Sequence, residues 1–376
     1  MIKKYTKKDG STAYMFKAYL GIDPITNKQR HTTRRGFKTM KDAKLELAKL
    51  QTDIQQNGLM SNDVVTFQEV YELWLEGYQN TVKASTLYSV ENWFELHILP
   101  HFAHLKIKKI SVTYCQRFVN ELSKYYANFF TIVVYIKKVL EYAIKLNIIT
   151  NNVMANIQIP KKTKKTVDKV YYEKSELATI LDTLEHSEDK QLYTVIRILA
   201  FTGIRINECL ALNWSDIDFT QNTIHISKTV AFTKDKLVIH SPKTKTSERT
   251  ITIDKKTANI IKLWQIQQRK EMLILGYNTS DKNQLCFTTN KNNILCSAFI
   301  RTKWTKFTQK NNIPYIKLHG FRHTHCSLLF ESGASIQEVQ NRLGHSDIKT
   351  TMDIYAHVTK NQLDSMAEKF QQYINF

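Results

Sequence analysis

Residues 202–210 read Thr202-Gly203-Ile204-Arg205-Ile206-Asn207-Glu208-Cys209-Leu210. Here an arginine lies among Leu199, Ala200, Phe201, Ile204, Ile206 and Leu210. A guanidinium cannot shed its charge, so apolar surroundings demand an anion beside it. One source is Glu208, three residues on and on the same helix face. The other is a bound anion. The stretch alone leaves both open.

Upstream, Ser175 caps a helix whose Leu177, Ile180, Leu181 and Leu184 share a face, and a second apolar helix fills residues 191–201. Downstream, residues 236–240 and 248–254 alternate like strands and read as a β-hairpin region. Between them lies Ser241-Pro242-Lys243-Thr244-Lys245-Thr246-Ser247. Lys243 there can reach a phosphate or a leaving oxygen; by itself it reads better as a solvated turn lysine.

Next comes Leu318-His319-Gly320-Phe321-Arg322-His323-Thr324-His325-Cys326. His319 and Arg322 are three apart and share a helix face. His319 with His323 raises a metal site. However, Gly320 stands where the zincin pattern needs Glu, and residues 325 and 326 diverge on a helix, so no metal is expected. Ser335 and Glu338 then form a capping box, Ile336, Val339 and Leu343 make a buried stripe, and Gly344 ends the helix. His345 follows at a turn. Ten residues later stands Tyr355, which periodicity alone would make a core residue.

The 376 residues carry a net charge of +20, which calls for an anionic partner, nucleic acid first and a membrane surface second. No run of 18 apolar residues appears, so no membrane span is expected. Met1-Ile2-Lys3-Lys4-Tyr5 has no apolar stretch behind its lysines, so neither is a signal peptide. Five scattered cysteines without a C-x-x-C pair argue for a reducing compartment and against a zinc finger.

Charge and helix signals divide the chain at 1–60, 61–160 and 161–376, with net charges of +8, +1 and +11. The first segment alternates over 12–20 and 29–35, then Thr39 and Asp42 open a helix to about Gln56. This small α+β domain would present Lys17, Lys28, Arg30, Arg34 and Arg35 to a DNA groove. The second segment reads as all-α. Thr66 and Glu69 form a capping box, a helix from Thr86 stops near Pro100, and helices fill 112–125 and 128–146. Its aromatic residues read as core. Its basic residues, among them Lys106, Lys108, Lys109, Arg117, Lys124, Lys137 and Lys138, would have to line one face with the acids on the other. The third segment is mainly α with a small β-sheet.

Taken together, Arg205 in "TGIRINECLALNWSDID", Lys243, "HGFR", "LGH" and Tyr355 resemble the tyrosine recombinases, also called the phage integrase family. Each motif is weak, but the ordered set is specific. The resemblance covers the whole chain and implies a tyrosine recombinase fold of three domains: arm-type DNA-binding, SAM-like core-binding and catalytic. It implies Arg205, Lys243, His319, Arg322 and His345 as catalytic residues and Tyr355 as nucleophile, with Lys245 as the alternative lysine. Lys137 and Lys138 join the five N-terminal basic residues as expected DNA contacts. The activity implied is integration or excision of a mobile element through a 3′-phosphotyrosine, with no cofactor and no metal. A Xer-like resolution recombinase is the alternative. The implied partners are double-stranded core and arm attachment sites, a homotetramer on DNA, and an excisionase or host DNA-bending protein. The implied location is the bacterial cytoplasm, at the nucleoid. Leu363, Met366, Phe370 and Tyr373 suggest a last helix that packs into a neighbouring protomer, or onto its own domain.

Overall fold

The computed structural model describes residues 2–7, 10–22, 28–57, 65–161, 169–234, 236–241 and 247–344, with Met352, Gln371 and Ile374. It falls into two compact units, residues 1–162 and 163–376. Among the described residues no helix is long and apolar enough to cross a membrane.

The first unit opens on an antiparallel sheet of β1 (Ile2–Thr6), β2 (Thr12–Ile22) and β3 (Gln29–Phe37), in that order. The two expected strands each run two residues further, and β1 was not foreseen because it shows no clean alternation. In register, Met15 faces Arg35, Lys17 faces Thr33 and Tyr19 faces His31, so these six share one side of the sheet. Phe16 faces Arg34 and Ala18 faces Thr32 on the other side, which α1 (Met40–Asn57) covers. Phe16, Ala18 and Ala43 are buried there. Asp42 N–H donates to Thr39 Oγ1 at 3.1 Å, the expected cap.

Arg34 therefore lies under the helix, paired with Glu46. It thus does not share the open face with Lys17 and Arg35: one residue along a strand reverses the face. Lys17 and Arg35 stay exposed on the open side, and Lys28 is exposed just before β3. Arg30 holds a β3 position opposite Gly21, and its side chain lies outside the described residues.

A second hydrophobic cluster in this unit is all helical: α2 (Phe67–Tyr78), α3 (Ala84–Trp93), α4 (Leu99–Phe102), α5 (Val112–Tyr125) and α6 (Phe129–Lys145). The capping box is present, with Thr66 N–H donating to Glu69 Oε2 at 2.7 Å and Glu69 N–H to Thr66 Oγ1 at 3.3 Å. Phe67, Tyr71, Trp74, Phe94, Phe102 and Tyr135 are core, as expected.

Pro100 does not stop the helix. A π turn over Phe94–Ile98 intervenes, and Leu99 N–H reaches back to Phe94 O. The proline then sits in the first turn of α4, where its missing N–H costs nothing. Nor do acids and bases separate by face. Lys124 pairs with Glu121 at 2.8 Å and Lys137 lies 4.0 Å from Glu141, at helical spacings that share a face. The Lys138 ammonium lies 4.8 Å from the Tyr135 ring and 5.6 Å from Tyr78.

The second unit is built around α8 (Lys190–Thr202), buried on nearly every side, with α7 (Lys174–Glu185) packed on it. Glu173 N–H donates to Glu176 Oε2 at 2.8 Å, so α7 starts ahead of Ser175, which is not its cap. After α8 come α9 (Ile206–Cys209), β4 (Ile217–Asp218), β5 (Thr223–Ile226), β6 (Thr229–Phe232), β7 (Leu237–His240) and β8 (Arg249–Thr252). Then follow α10 (Lys255–Ile274), α11 (Ser297–Lys310), α12 (Gly320–Glu331) and α13 (Ile336–Leu343).

The expected pairing of 236–240 with 248–254 does not form. β7 pairs with β6, across a turn closed by Thr233 N–H to Lys236 O at 3.0 Å. β8 pairs with β5 in the sheet β4-β5-β8. Alternation marks a strand but does not name its partner.

Candidate active site

The site starts where α8 ends. Gly203 closes it with φ +66°, a left-handed cap. A Cβ there would lie 2.5 Å from Leu343 Cδ2 and 2.7 Å from His325 Cδ2. Gly203 is thus demanded twice, by its backbone and by its neighbours. Gly203→Ala should cost about 3 kcal/mol, from the left-handed conformation and from overpacking together. Urea melts would show it. An unchanged midpoint would mean that Leu343 and His325 yield freely.

Arg205 follows as the N-cap of α9. Of the two anions considered for it, Glu208 is in place. Arg205 Nη1 donates to Glu208 Oε1 at 2.7 Å, and its N–H to Glu208 Oε2 at 3.0 Å. Yet its side chain is 40% exposed while Glu208 is 4% exposed. The carboxylate orients the guanidinium and leaves part of its donor surface open.

Glu208 is shared. Arg249 Nη2 donates to its Oε2 at 3.2 Å. Burial alone would push the Glu208 carboxyl up, but Arg249 and Arg205 outweigh it and hold its pKa below the usual value. It is therefore an anion.

Arg322, in the first turn of α12, is 2% exposed. Its Nη1 donates to Gly203 O and its Nη2 to Leu343 O, each at 2.8 Å. Burial, then repulsion from Arg205 and Arg249, push its pKa down to about 9, which still leaves it charged at neutral pH. Among the described residues, Arg205 and Arg249 thus pair with one carboxylate, and Arg322 lies near enough to feel all three charges. Such a site has charge to spare for an anion, and its donor forks suit a phosphate.

His319 caps α12 and is exposed, its ring 5.1 Å from His323 and nearly perpendicular to it. Crowding on its inner side, then His323, Arg322 and Arg205, hold its pKa down, to about 4. At pH 7 the ring is neutral and keeps an acceptor nitrogen. Lys243, Lys245, His345 and Tyr355 lie outside the described residues, as do Leu363, Met366, Phe370 and Tyr373 of the suggested last helix. Gly344 ends α13 as expected, with φ +67°.

The sequence reading passed over three residues. Arg249 falls in the alternating stretch 248–254, Arg342 falls beside the buried stripe of Ile336, Val339 and Leu343, and His325 enters the sequence pattern only as a candidate metal ligand. His325 Nδ1–H donates to Ala200 O at 2.8 Å, so its Nε2 accepts from Arg342 Nε at 3.1 Å. Arg342 Nη2 also reaches Phe201 O and Thr252 O. The Gly203 cap, β8 and α13 are held together by these side chains.

The phage integrase family model matches residues 171–362, a phage integrase N-terminal SAM-like domain matches 66–123, and an arm DNA-binding domain matches 1–54. The ICEBs1 integrase of Bacillus subtilis (strain 168) is 28% identical over 373 residues, 98% of this chain and 99% of that protein. The integrase of Staphylococcus phage L54a is 28% identical over 334 residues, 82% of this chain and 94% of that one. The fold is also that of the Tn1549 transposon integrase in complex with a circular intermediate DNA, with TM-score 0.68 at 20% identity, covering 81% of this chain and 99% of that one. The first of the three family models takes in half of the chain, and the site lies within it: the chain belongs to the phage integrase family and is a site-specific tyrosine recombinase.

Proposed function

We propose that the protein integrates and excises a mobile element, cutting and rejoining DNA strands through a 3′-phosphotyrosine on Tyr355. The observation that carries this reading is the cluster of Arg205, Arg249 and Arg322 near the carboxylate of Glu208, with Arg205 open to solvent.

Attack on a phosphodiester builds negative charge on the non-bridging oxygens. Arg205 and Arg322 meet that charge with oriented donors already in place. The Tyr355 oxygen bonds to phosphorus, its proton passes to neutral His319, and the bond to the 5′-oxygen breaks. A phenol of pKa about 10 needs such an acceptor. Lys243 protonates the leaving oxygen, with Lys245 as the alternative, and His345 bonds a phosphate oxygen. A 5′-hydroxyl of another strand then reverses the step, so the bond energy is conserved.

Residues 1–60 bind arm sites through the open sheet face that carries Lys17 and Arg35, with Lys28 and Arg30 beside it. Residues 61–160 bind core sites, with Lys137 and Lys138 among the contacts, and residues 161–376 carry out the chemistry. The arm DNA-binding match supports an integrase over a resolution recombinase. The working form is a homotetramer on two DNA sites, with an excisionase or DNA-bending protein setting direction.

The test is a nicked core-site DNA that loses its 5′-hydroxyl fragment on cleavage. The protein should form a detergent-stable adduct without ATP or divalent metal, leaving a free 5′-hydroxyl. Cleavage without an adduct would overturn the reading.

A further inference from the structure

Arg249 is nearly as buried as Glu208, with its side chain 7% exposed. Its three bonds run to three segments. Nη2 meets Glu208, Nε meets Arg342 O at 2.9 Å, and Nη1 meets Ser247 O at 3.0 Å. The Arg342 carbonyl belongs to the last turn of α13, where helix carbonyls lack intrahelical partners. The next carbonyl, Leu343 O, is taken by Arg322. Two buried guanidinium groups thus cap one helix end, and that end leads through Gly344 into His345.

The link is returned. Arg342 Nη2 donates to Thr252 O at 3.0 Å, so β8 and α13 exchange arginine-to-carbonyl bonds at both ends of the strand. β8 also follows directly on residues 241–247, which carry Lys243. A purely structural arginine in the same unit is bonded otherwise. Arg197 meets Asp254 and Thr257 and stacks on Phe201, and it has no bond to Glu208 or to the end of α13.

We infer that Arg249 is a positioning residue for strand cleavage. Through Glu208 it sets the Arg205 guanidinium, and through the Arg342 carbonyl it fixes the end of α13, after which His345 follows in sequence. This rests on the proposed roles of Arg205 and His345. Lysine keeps the positive charge but cannot span Glu208 and the Arg342 carbonyl at once. A small misplacement of reacting groups costs about 100-fold in rate.

The experiment measures single-turnover adduct formation and core-site binding for Arg249→Lys, Arg249→Gln, Arg197→Lys and Arg205→Ala. Arg249→Lys should lose about 100-fold in cleavage rate. Its core-site Kd should stay within about threefold of the parent. Arg197→Lys should lose thermal stability but cleave near the parent rate. Guanidinium ion at low millimolar concentration should partly restore Arg249→Gln. The inference is overturned if Arg249→Lys cleaves like the parent, if it loses binding and cleavage equally, or if neither Arg249 variant folds. Normal cleavage by Arg205→Ala would instead overturn the clamp reading beneath it, so the two failures are distinct.

Discussion

Tyr355→Phe should bind core-site DNA with a Kd within about threefold of the parent and form no covalent adduct. The substitution removes one oxygen and keeps the ring, so packing changes little. Chemically it removes the oxygen proposed to bond to phosphorus. Two other tyrosines of the second unit are poor substitutes because they are buried. Tyr172 is buried, donates its hydroxyl to Pro314 O, and has its phenol pushed up by burial. Tyr193 is buried too, and burial followed by Glu185 pushes it up to about 12. A phenol that resists ionisation is a poor nucleophile. Tyr277 and Tyr315 are exposed, at 36% and 39%, so Tyr315→Phe is the matched control and should cleave normally. An adduct that persists in Tyr355→Phe would move the nucleophile elsewhere. Peptide mapping of that adduct would show where.

What could be read from the sequence depended on how local the cause was. Capping boxes at Thr66 and Ser335 were legible because a hydroxyl and a carboxylate three residues apart satisfy each other within one turn. The end of α8 was legible as a site because an arginine among apolar residues is an electrostatic problem wherever it folds. Strand partners were not legible. β7 and β8 alternate equally well, and only the turn at Thr233 to Lys236 assigns β7 to β6. Arg34 and Arg35 are indistinguishable by composition, yet the register places one under α1 and the other on the open face. Pro100 misled because its cost depends on the hydrogen bond it removes, and a π turn had already removed the need for it. Arg249 and Arg342 were invisible for the most physical reason. Their partners, Glu208, Phe201 O, Thr252 O and each other's elements, are brought near only by the tertiary fold.

If Arg322 meets the developing charge as proposed, Arg322→Ala should lower the cleavage rate by about 1,000-fold or more. Two effects compete in this variant. Removing the guanidinium leaves Gly203 O and Leu343 O without their donors, and hydrogen bonds from a charged group are worth about 1.5–3 kcal/mol each. It also relieves the burial of a charge and the repulsion from Arg205 and Arg249, which together hold the Arg322 pKa down, and this returns part of that loss. The net stability cost should be about 2 kcal/mol. A 1,000-fold rate loss corresponds to about 4 kcal/mol in the transition state. The larger number belongs to the chemistry, so the variant should remain folded and bind DNA while failing to cut it. Arg322→Lys separates charge from geometry. Its ammonium can reach one carbonyl but cannot hold both while presenting a fork to phosphate, so it should recover stability better than rate. A substrate with a neutral methylphosphonate at the scissile position tests the cause directly. It lacks the charge that Arg322 is there to meet, so Arg322→Ala should gain on the parent with this DNA. If the two proteins keep the same ratio of rates on both substrates, Arg322 acts by holding α13 against the Gly203 turn and not by stabilising the phosphorane.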